Sequence, residues 1–283
     1  MPISGFVLVD KPEGPTSHDV INIVRHRMSV RRVGHTGTLD PFASGLLIVV
    51  IGNATRLARF VDGTRKRYEG EIRLGTTTTT DDRTGDVVGE PREDISNEAV
   101  IRDAMHALTG DLLQRPPAFS AKKVGGKRAY RLARGGEPPA LEPVPVVVEK
   151  FSPLEIDGNA IRFTAAVSAG TYIRALARDL GTALGCGGHL HSLRRVGIGL
   201  FDVDEALAPD AVDLKRVRPA SELVGHLESV ALDASAADQV RHGRPIPMDK
   251  PHAGPVALLE NDVLVAVAEP NGEVLKPKVV IAS

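Results

Sequence analysis

An aspartate in a glycine-rich loop is the residue of this chain best suited to do chemistry. The loop at residues 34–47 reads GHTGTLDPFASGLL and holds Asp40 immediately before a proline. A proline disfavours helical backbone in the residue before it, so we expect Asp40 to be extended. The apolar run 46–51 predicts a buried strand, which would hold the carboxylate at the edge of a sheet. A carboxylate held in this way can act as a nucleophile, although Asp-Pro is also an ordinary turn dipeptide.

Two further residues have side chains and positions suited to a catalytic site. Arg174 falls in the first turn of a helix predicted to open at Thr171, where the helix dipole disfavours a cation. An anion facing Arg174 would explain this position, and a solvent-facing arginine is the alternative. Tyr68 lies on the apolar face of the alternating run 68–74, where an aromatic side chain is usually a core residue.

The spacing of potential metal ligands does not match a known metal site. Cys186, His189 and His191 match no closed zinc set, and the chain has no second cysteine. The acids at 81, 82 and 86 do not have the spacing of a calcium loop, and no nucleotide-binding fingerprint appears. We therefore expect neither a metal nor a cofactor.

Charge is distributed unevenly along a chain whose formal net charge is only −1. Residues 112–136 contain seven basic side chains and no acid: Arg115, Lys122, Lys123, Lys127, Arg128, Arg131 and Arg134. A second cluster precedes the Asp40 loop: Arg25, Arg27, Arg31 and Arg32. Two basic clusters flanking one candidate site favour a nucleic-acid backbone as partner, with an affinity that falls as salt rises. For either cluster alone, a solvated charged surface is the alternative.

The length and cysteine content indicate the class of protein. A chain of 283 residues allows about two domains. Its one cysteine excludes intrachain disulfides and is typical of a reducing compartment. The first residues lack a signal-peptide pattern, and the longest apolar run is far shorter than the ~18 residues that a membrane span needs. We therefore expect a cytoplasmic protein that does not associate with membranes.

Hydrophobic periodicity predicts the elements that would position these residues. The predicted strands are 6–9, 46–51, 68–74, 143–151 and 161–167, with C-terminal β runs at 256–259, 263–268 and 274–281. The predicted helices are capped by Ser17, Asn53 and Ser96 or opened by Thr171. The basic stretch at 115–136 is expected to be a long loop with a helical centre near 128–133. We place the domains at 1–220 and 221–283.

Five ordered segments of the chain resemble the TruB family of tRNA pseudouridine synthases. They are GFVLVDKPEGPTSHDV from residue 5, the Asp40 loop, KRYEGEIRLG from residue 66, GTYIRALARDLG from residue 170 and HLHSLRRVGIG from residue 189. The resemblance covers residues 5–206 continuously. It implies an α/β (α+β) fold, the pseudouridine-synthase fold, with a mixed, mainly antiparallel sheet and flanking helices, followed by a small C-terminal PUA-like β-barrel. The basic stretch at 115–136 would be an insertion that closes on RNA.

The resemblance also implies roles for individual residues. Asp40 would be the nucleophile, Arg174 would form an ion pair with it, and Tyr68 would stack on the target base. Residues expected to bind substrate are His35, Lys11, Tyr172, Leu193, Arg194 and Arg195, together with Lys122, Lys123, Lys127 and Arg128 of the insertion. Lys11 would contact a phosphate or brace the site, with a surface lysine as the alternative.

The activity implied is isomerisation of uridine 55 in the T-loop of tRNA, without a cofactor and with the base flipped out of the RNA. The partner expected is the T-arm stem-loop of tRNA, and we expect a monomer with no obligate protein partner. A secondary role as a tRNA folding chaperone is also expected. Two alternative functions are an RNA chaperone that folds tRNA without modifying it and a small-molecule hydrolase. A hydrolase does not explain the basic stretches.

Overall fold

The computed structural model describes residues 3–92, 97–119, 123–124, 127–128 and 141–281, which form two compact units. The first unit contains the described residues up to Asp40, those from Leu46 to Gly63 and those from Gly199 onward. The second unit contains Pro41–Gly45 and the described residues of 64–198. The chain therefore leaves the first unit at the peptide bond after Asp40. Among the described helices, none has the length and apolar character needed to cross a lipid bilayer.

Strands outnumber helices in the described residues. The strands are β1 (Gly5–Lys11), β2 (Val33–Thr36), β3 (Ser44–Ile51), β4 (Lys66–Leu74), β5 (Thr77–Thr78), β6 (Val87–Val88), β7 (Gly110–Gln114), β8 (Lys123–Val124), β9 (Lys127–Arg128), β10 (Val144–Asp157), β11 (Ala160–Val167), β12 (Gly188–Ile198), β13 (Phe201–Asp202), β14 (Glu228–Ala231), β15 (Ile246–Pro247), β16 (Val256–Glu260), β17 (Val263–Asn271) and β18 (Val274–Val280). The α-helices are α1 (Ser17–Met28), α2 (Ala58–Asp62), α3 (Glu98–Ala107), α4 (Ile173–Ala183), α5 (Ala220–Leu223) and α6 (Ala234–Arg241). Short 3-10 helices lie at Gly52–Leu57, Val203–Glu205 and Leu214–Arg216.

The N-terminal part of the first unit packs α1 against a small group of strands. Strand β3 neighbours β1 and pairs antiparallel with β2, so that Val33 lies opposite Ile51. The apolar face of α1 joins the side chains of β1 and β3 in one buried cluster. This cluster buries side chains spaced three or four residues apart on α1, as a helix facing a core requires.

The sequence predicts Ser17 as the N-cap of α1, but Ser17 is the first residue of the helix itself. Thr16, not Ser17, is the N-cap: its hydroxyl accepts from the Asp19 N–H at 3.1 Å, and the Asp19 carboxylate accepts from the Thr16 N–H at 2.9 Å. This reciprocal pair satisfies two of the unpaired donors at the helix start. The prediction of Ser17 as cap is therefore wrong, and its hydroxyl is available for another contact.

The C-terminal part of the first unit is a five-stranded sheet that curls into a half-barrel, with the order β14-β16-β17-β18-β15. Helix α6 packs its buried Ala237 and Val240 against this sheet. The three predicted C-terminal β runs are confirmed as β16, β17 and β18. Asn261 and Asp262, between β16 and β17, have φ values of 49° and 64°, the left-handed backbone that tight hairpins require.

The second unit is built on a mainly antiparallel sheet, as predicted. Its order is β12-β4-β11-β10-β7, and every neighbouring pair in that order is antiparallel. The start of β3 pairs with β12 in parallel, with Ser44 opposite Arg194 and Gly45 opposite Arg195. Helix α4 packs on β12 and buries an apolar face formed by Ile173, Leu176, Ala177 and Leu180.

Three other local predictions need correction or lie outside the described residues. The helix predicted from Asn53 to 61 is a 3-10 helix followed by the short α2, and the Asn53 side chain donates to the Ile281 carbonyl oxygen at 3.4 Å instead of capping. Helix α3 is capped by Asn97 rather than Ser96, since the Asn97 side chain accepts from the Val100 N–H at 3.2 Å. Arg128 belongs to β9, and residues 129–133 of the predicted helical centre lie outside the described residues.

A glycine should be needed at position 45 for full stability, because the backbone of β12 lies close to the Gly45 Cα. Its φ is 104°, and a Cβ at this position would lie 2.3 Å from the Arg195 carbonyl oxygen. We expect Gly45→Ala to lower the free energy of unfolding by about 1–3 kcal/mol more than Gly14→Ala. Gly14 is the matched control, since its φ is 105° and nothing lies within 4 Å of its would-be Cβ. Urea unfolding measures both, and equal losses would contradict the close-approach explanation.

Candidate functional site

In the first unit, the turn that carries Asp40 is fixed from the preceding residue. The Ser17 hydroxyl donates to the Leu39 carbonyl oxygen at 3.0 Å and accepts from the Leu39 N–H at 2.9 Å. Ser17 and Leu39 are both buried, so these hydrogen bonds are shielded from competing water. Asp40 itself is half-buried and lies outside regular secondary structure. One hydroxyl therefore holds both backbone groups of the residue before the carboxylate.

His35 and Lys11 lie in the same unit, on two strands that both neighbour β3. His35 lies on β2, opposite Val49 of β3, and is half-buried, so it is a strand residue rather than a loop residue. Lys11 ends β1 with no exposed surface, and its Nζ donates to the Pro12 carbonyl oxygen at 2.9 Å. The surface-lysine alternative is therefore wrong. A buried ammonium must be held by several partners, which favours a bracing role.

In the second unit, Tyr68 lies in a row of residues that crosses four strands. Gly45 of β3 lies opposite Arg195 of β12, which lies opposite Tyr68 of β4, which lies opposite Ala165 of β11. Adjacent strands are about 4.8 Å apart, so Gly45 and Tyr68 are separated by about 10 Å. Tyr68 is 7% exposed, which agrees with the predicted apolar face of its strand. The segment Pro41–Gly45, which ends in this row, follows Asp40 directly.

Strand β12 also carries the other predicted binding residues of this unit. Leu193 lies opposite Gly70 and is buried, while Arg194 lies opposite Glu69 and is half-buried. Arg195 is 1% exposed, so it lies inside the protein rather than on a surface that RNA can reach. A guanidinium buried to this extent supports its surroundings, whereas Arg194 keeps access to solvent.

Arg174 is held in a buried ion pair. Its side chain is 7% exposed, and Nη1 lies 3.3 Å from Oδ2 of Asp82, whose side chain is 4% exposed. Nη1 also donates to the Thr80 carbonyl oxygen at 3.0 Å, and Nη2 donates to the Phe119 carbonyl oxygen at 3.0 Å. The solvent-facing alternative is therefore wrong. An anion that faces Arg174 is Asp82, and the predicted ion pair between Arg174 and Asp40 stays a prediction.

Asp82 is a functional candidate that the sequence reading missed. Its Oδ1 accepts from the Thr80 hydroxyl at 2.8 Å, the Thr84 N–H at 2.9 Å and the Thr84 hydroxyl at 2.5 Å. The carboxylate is thus saturated by donors on one oxygen and paired with Arg174 on the other. The sequence contains a signal for this buried carboxylate, because threonines flank the adjacent acids Asp81 and Asp82. Threonine hydroxyl groups can donate hydrogen bonds to a carboxylate that is buried away from water.

A second arginine, one helical turn after Arg174, repeats the arrangement. Arg178 Nη1 lies 3.0 Å from Oδ2 of Asp81, which adopts left-handed backbone with a φ of 59°. Burial raises the pKa of Asp81, against the opposing effect of Arg178 and Arg174. Since residues four apart share one face of a helix, α4 presents both guanidinium groups to the same turn.

The same end of α4 fixes the start of the basic segment. The Gln114 side chain exchanges two hydrogen bonds with the Tyr172 backbone, accepting from the N–H at 2.8 Å and donating to the carbonyl oxygen at 3.2 Å. Arg178 Nη2 donates to the Arg115 carbonyl oxygen at 2.9 Å. The backbone of Lys123, Lys127 and Arg128 forms the β8–β9 pair, and Lys122 lies outside the described residues.

Two family models match consecutive parts of the chain. One describes the TruB family pseudouridylate synthase N-terminal domain and matches residues 25–173, and the other describes the tRNA pseudouridylate synthase B C-terminal domain and matches residues 174–233. A Solibacter usitatus protein named tRNA pseudouridine synthase B is 42% identical over 280 residues, or 94% of this chain and 96% of that protein. A Thermobifida fusca protein of the same name is 45% identical over 289 residues, or 98% of both.

Solved structures share the fold along almost the whole chain. A Cbf5-Nop10-Gar1 complex contains a chain with a TM-score of 0.77 and 28% identity, covering 98% of this chain and 85% of that one. An H/ACA RNP bound to a substrate RNA containing 2′-deoxyuridine contains a chain with a TM-score of 0.76 and 25% identity, covering 99% and 85%. These likenesses confirm the predicted pseudouridine-synthase fold.

Breaking the buried Arg174–Asp82 ion pair should lower the free energy of unfolding far more than breaking an exposed ion pair. Arg174→Met leaves the Asp82 carboxylate buried without its cation, so we expect the free energy of unfolding to fall by about 3–5 kcal/mol. The control is Arg102→Met, which removes an exposed partner of Glu98 four residues away on α3 and should cost less than about 1 kcal/mol. Urea unfolding followed by circular dichroism gives both values, and similar losses would contradict the assigned burial.

Proposed function

From the premise that the chain belongs to the TruB family of pseudouridylate synthases, we propose that it isomerises uridine 55 in the T-loop of tRNA, with Asp40 as nucleophile. The chain is a tRNA pseudouridine synthase, an isomerase that acts on uridine in tRNA. The position of the uridine and the roles of individual residues are the proposal. A cytoplasmic location and a monomeric state remain predictions.

The observation that carries the proposal is the supported loop around Asp40. The Leu39 backbone is held on one side of the carboxylate by the buried Ser17 hydroxyl. On the other side, the loop ends at Gly45, in register with Arg195 and Tyr68. A catalytic group needs to be held by rigid elements on both sides, since small displacements of a reacting group reduce the rate strongly.

The proposed reaction breaks one bond and forms another on the same base. The glycosidic N1–C1′ bond of uridine breaks, the uracil turns, and C5 forms a new bond to C1′ while losing its proton. N1 takes up a proton, so nothing is oxidised and no group is lost. Attack by Asp40 on the sugar carbon and attack on the uracil ring both fit this balance, and both use an ionised carboxylate.

We assign Tyr68 and Arg174 to the positioning of the base and the nucleophile. A tyrosine ring on a rigid strand can stack on a flipped uracil, and such stacking contributes about 1–3 kcal/mol per base. The proposed ion pair between Arg174 and Asp40 would keep the nucleophile ionised. Support for this role comes from the described contacts of Arg174, whose guanidinium is already fixed by Asp82 and two carbonyl groups. An arginine fixed in this way loses little entropy when it binds a further anion.

The basic segment supports RNA as the substrate. Residues 112–136 contain seven Lys or Arg and no acid, and α4 fixes the described residues at the start of this segment. We assign Lys122, Lys123, Lys127 and Arg128 to the phosphates of the T-arm, with His35, Lys11, Tyr172, Leu193, Arg194 and Arg195 supporting the bound nucleotide. Sequence-specific proteins favour RNA loops, because bases in loops can leave the stack.

Asp40→Asn should abolish turnover without abolishing binding. We expect the rate of tritium release from tRNA labelled at uracil C5 to fall at least ~10³-fold, because the amide is a poor nucleophile. The dissociation constant for tRNA should stay within about twofold, because asparagine has the same shape. Asp103→Asn is the control, since Asp103 is an exposed aspartate on α3.

Undiminished tritium release by Asp40→Asn would remove the nucleophile assignment. The same variant tests the proposed role as a tRNA folding chaperone. If it still accelerates refolding of a misfolded tRNA, chaperone activity and chemistry are separate properties of the chain. Loss of refolding together with turnover would contradict a chaperone role that is independent of catalysis.

A further inference from the structure

Five exposed arginines of the first unit form a basic surface away from the Asp40 turn. They are Arg27, Arg31, Arg32, Arg56 and Arg59, and we call them the hairpin-base surface. Arg27 lies on α1, Arg56 lies on the 3-10 helix after β3, and Arg59 lies on α2; these three helices all pack against β2. Residues 20–61 contain one acid, and that acid is Asp40.

The guanidinium groups of this surface are held by neutral partners. Arg27 Nε donates to the Val212 carbonyl oxygen at 3.4 Å, and Arg56 Nη1 donates to the Val280 carbonyl oxygen at 2.9 Å. Arg32 Nη1 donates to the Asn53 side chain at 3.5 Å, and Arg59 lies over the Phe60 ring. Among the side chains that the structure describes, no carboxylate is ion-paired with any of these five arginines. Four of the five side chains are therefore held by neutral partners, and their positive charge is not neutralised.

Several other arginines of the described residues are paired with carboxylates. Arg102 pairs with Glu98, Arg162 with Glu155, Arg218 with Glu205 and Glu222, and Arg241 with Glu260. An ordinary solvated surface interleaves both signs of charge, as these pairs do. The hairpin-base surface departs from this pattern and is suited to an external polyanion.

The surface is separated from Asp40 by the length of the β2–β3 hairpin. The Gly52 N–H donates to the Arg32 carbonyl oxygen at 2.8 Å, and Val33 pairs with Ile51, so this end of the hairpin carries the arginines. Strand β2 runs from there to Thr36, and the Asp40 turn follows its other end. At about 3.3 Å per residue, the four steps from Arg32 to Thr36 span about 13 Å.

We propose that the hairpin-base surface binds the phosphates of a double-helical stem of the tRNA outside the reacting T-arm. The inference rests on the proposed function, because the RNA loop at Asp40 sets where the rest of the RNA can reach. Three of the five cations lie on helices that pack against β2, and the other two directly precede β2, so the surface is built on regular structure and suits the regular phosphates of a helix better than a flexible single strand. Contacts of this kind carry no sequence information and contribute affinity that depends on salt.

The test compares two RNAs and two matched double variants. Arg32→Gln/Arg56→Gln removes two charges of the surface, and Gln keeps a donor for the Val280 carbonyl group. Arg102→Gln/Arg162→Gln removes two exposed charges that are paired with carboxylates, and serves as the control. The dissociation constant of each protein is measured between 50 and 200 mM salt (roughly the range over which phosphate contacts are lost) for full-length tRNA and for the isolated T-arm hairpin.

We expect the surface variant to bind full-length tRNA about tenfold more weakly, with a salt slope reduced by about one to two. Its affinity for the T-arm hairpin and its turnover on that hairpin should match those of wild type and control. Unchanged affinity for full-length tRNA would overturn the proposal, and an equal loss with both RNAs would place the contact on the T-arm instead. Failure of wild type to form pseudouridine in either RNA would remove the proposed function, a result distinct from both.

Discussion

A guanidinium removed from water must have every donor satisfied, and Arg174 shows what that requirement does to the second unit. Its partners come from the Thr80–Asp82 turn and from Phe119, segments far apart in the chain. Two buried charges contribute little net stability, since desolvation offsets much of their attraction. What they enforce is geometry, because any arrangement that separates the pair leaves a charge buried alone. The end of α4, the threonine-rich turn and the start of the basic segment are therefore fixed together.

The turn that carries Asp40 depends on a different constraint, namely close backbone approach. Gly45 lies so near the Arg195 backbone that no side chain fits, and Ser17 holds both backbone groups of Leu39. These contacts involve no charge, and within the first unit the Ser17 contact fixes the residue next to the carboxylate. Positive charge is concentrated around β2, because residues 20–61 contain six arginines and only one acid, Asp40. A net charge of −1 for the chain conceals this local excess.

The strands were predictable because their side chains alternate or form apolar runs, and both patterns follow directly from burial. Helix starts were predicted one residue off at Ser17 and Ser96, because a neighbouring Thr or Asn can cap equally well and only the geometry decides. Asp82 was considered only as a possible calcium ligand, since acids usually face water. Its burial depends on Arg174, a residue 92 positions later than Asp82, and no local pattern contains that information. Arg195 was predicted to bind substrate, and no local pattern indicates that its side chain is almost fully buried.

The most direct test of the account is a crystal structure of the protein with T-arm RNA that carries 5-fluorouridine at the target position. The account predicts an everted nucleotide whose pyrimidine ring packs on Tyr68. It also predicts an Asp40 carboxylate oxygen as the nearest protein atom to the reacting carbon, bonded to it or within about 3–3.5 Å. A target base still stacked in the RNA, or another side chain in contact with that carbon, would contradict it.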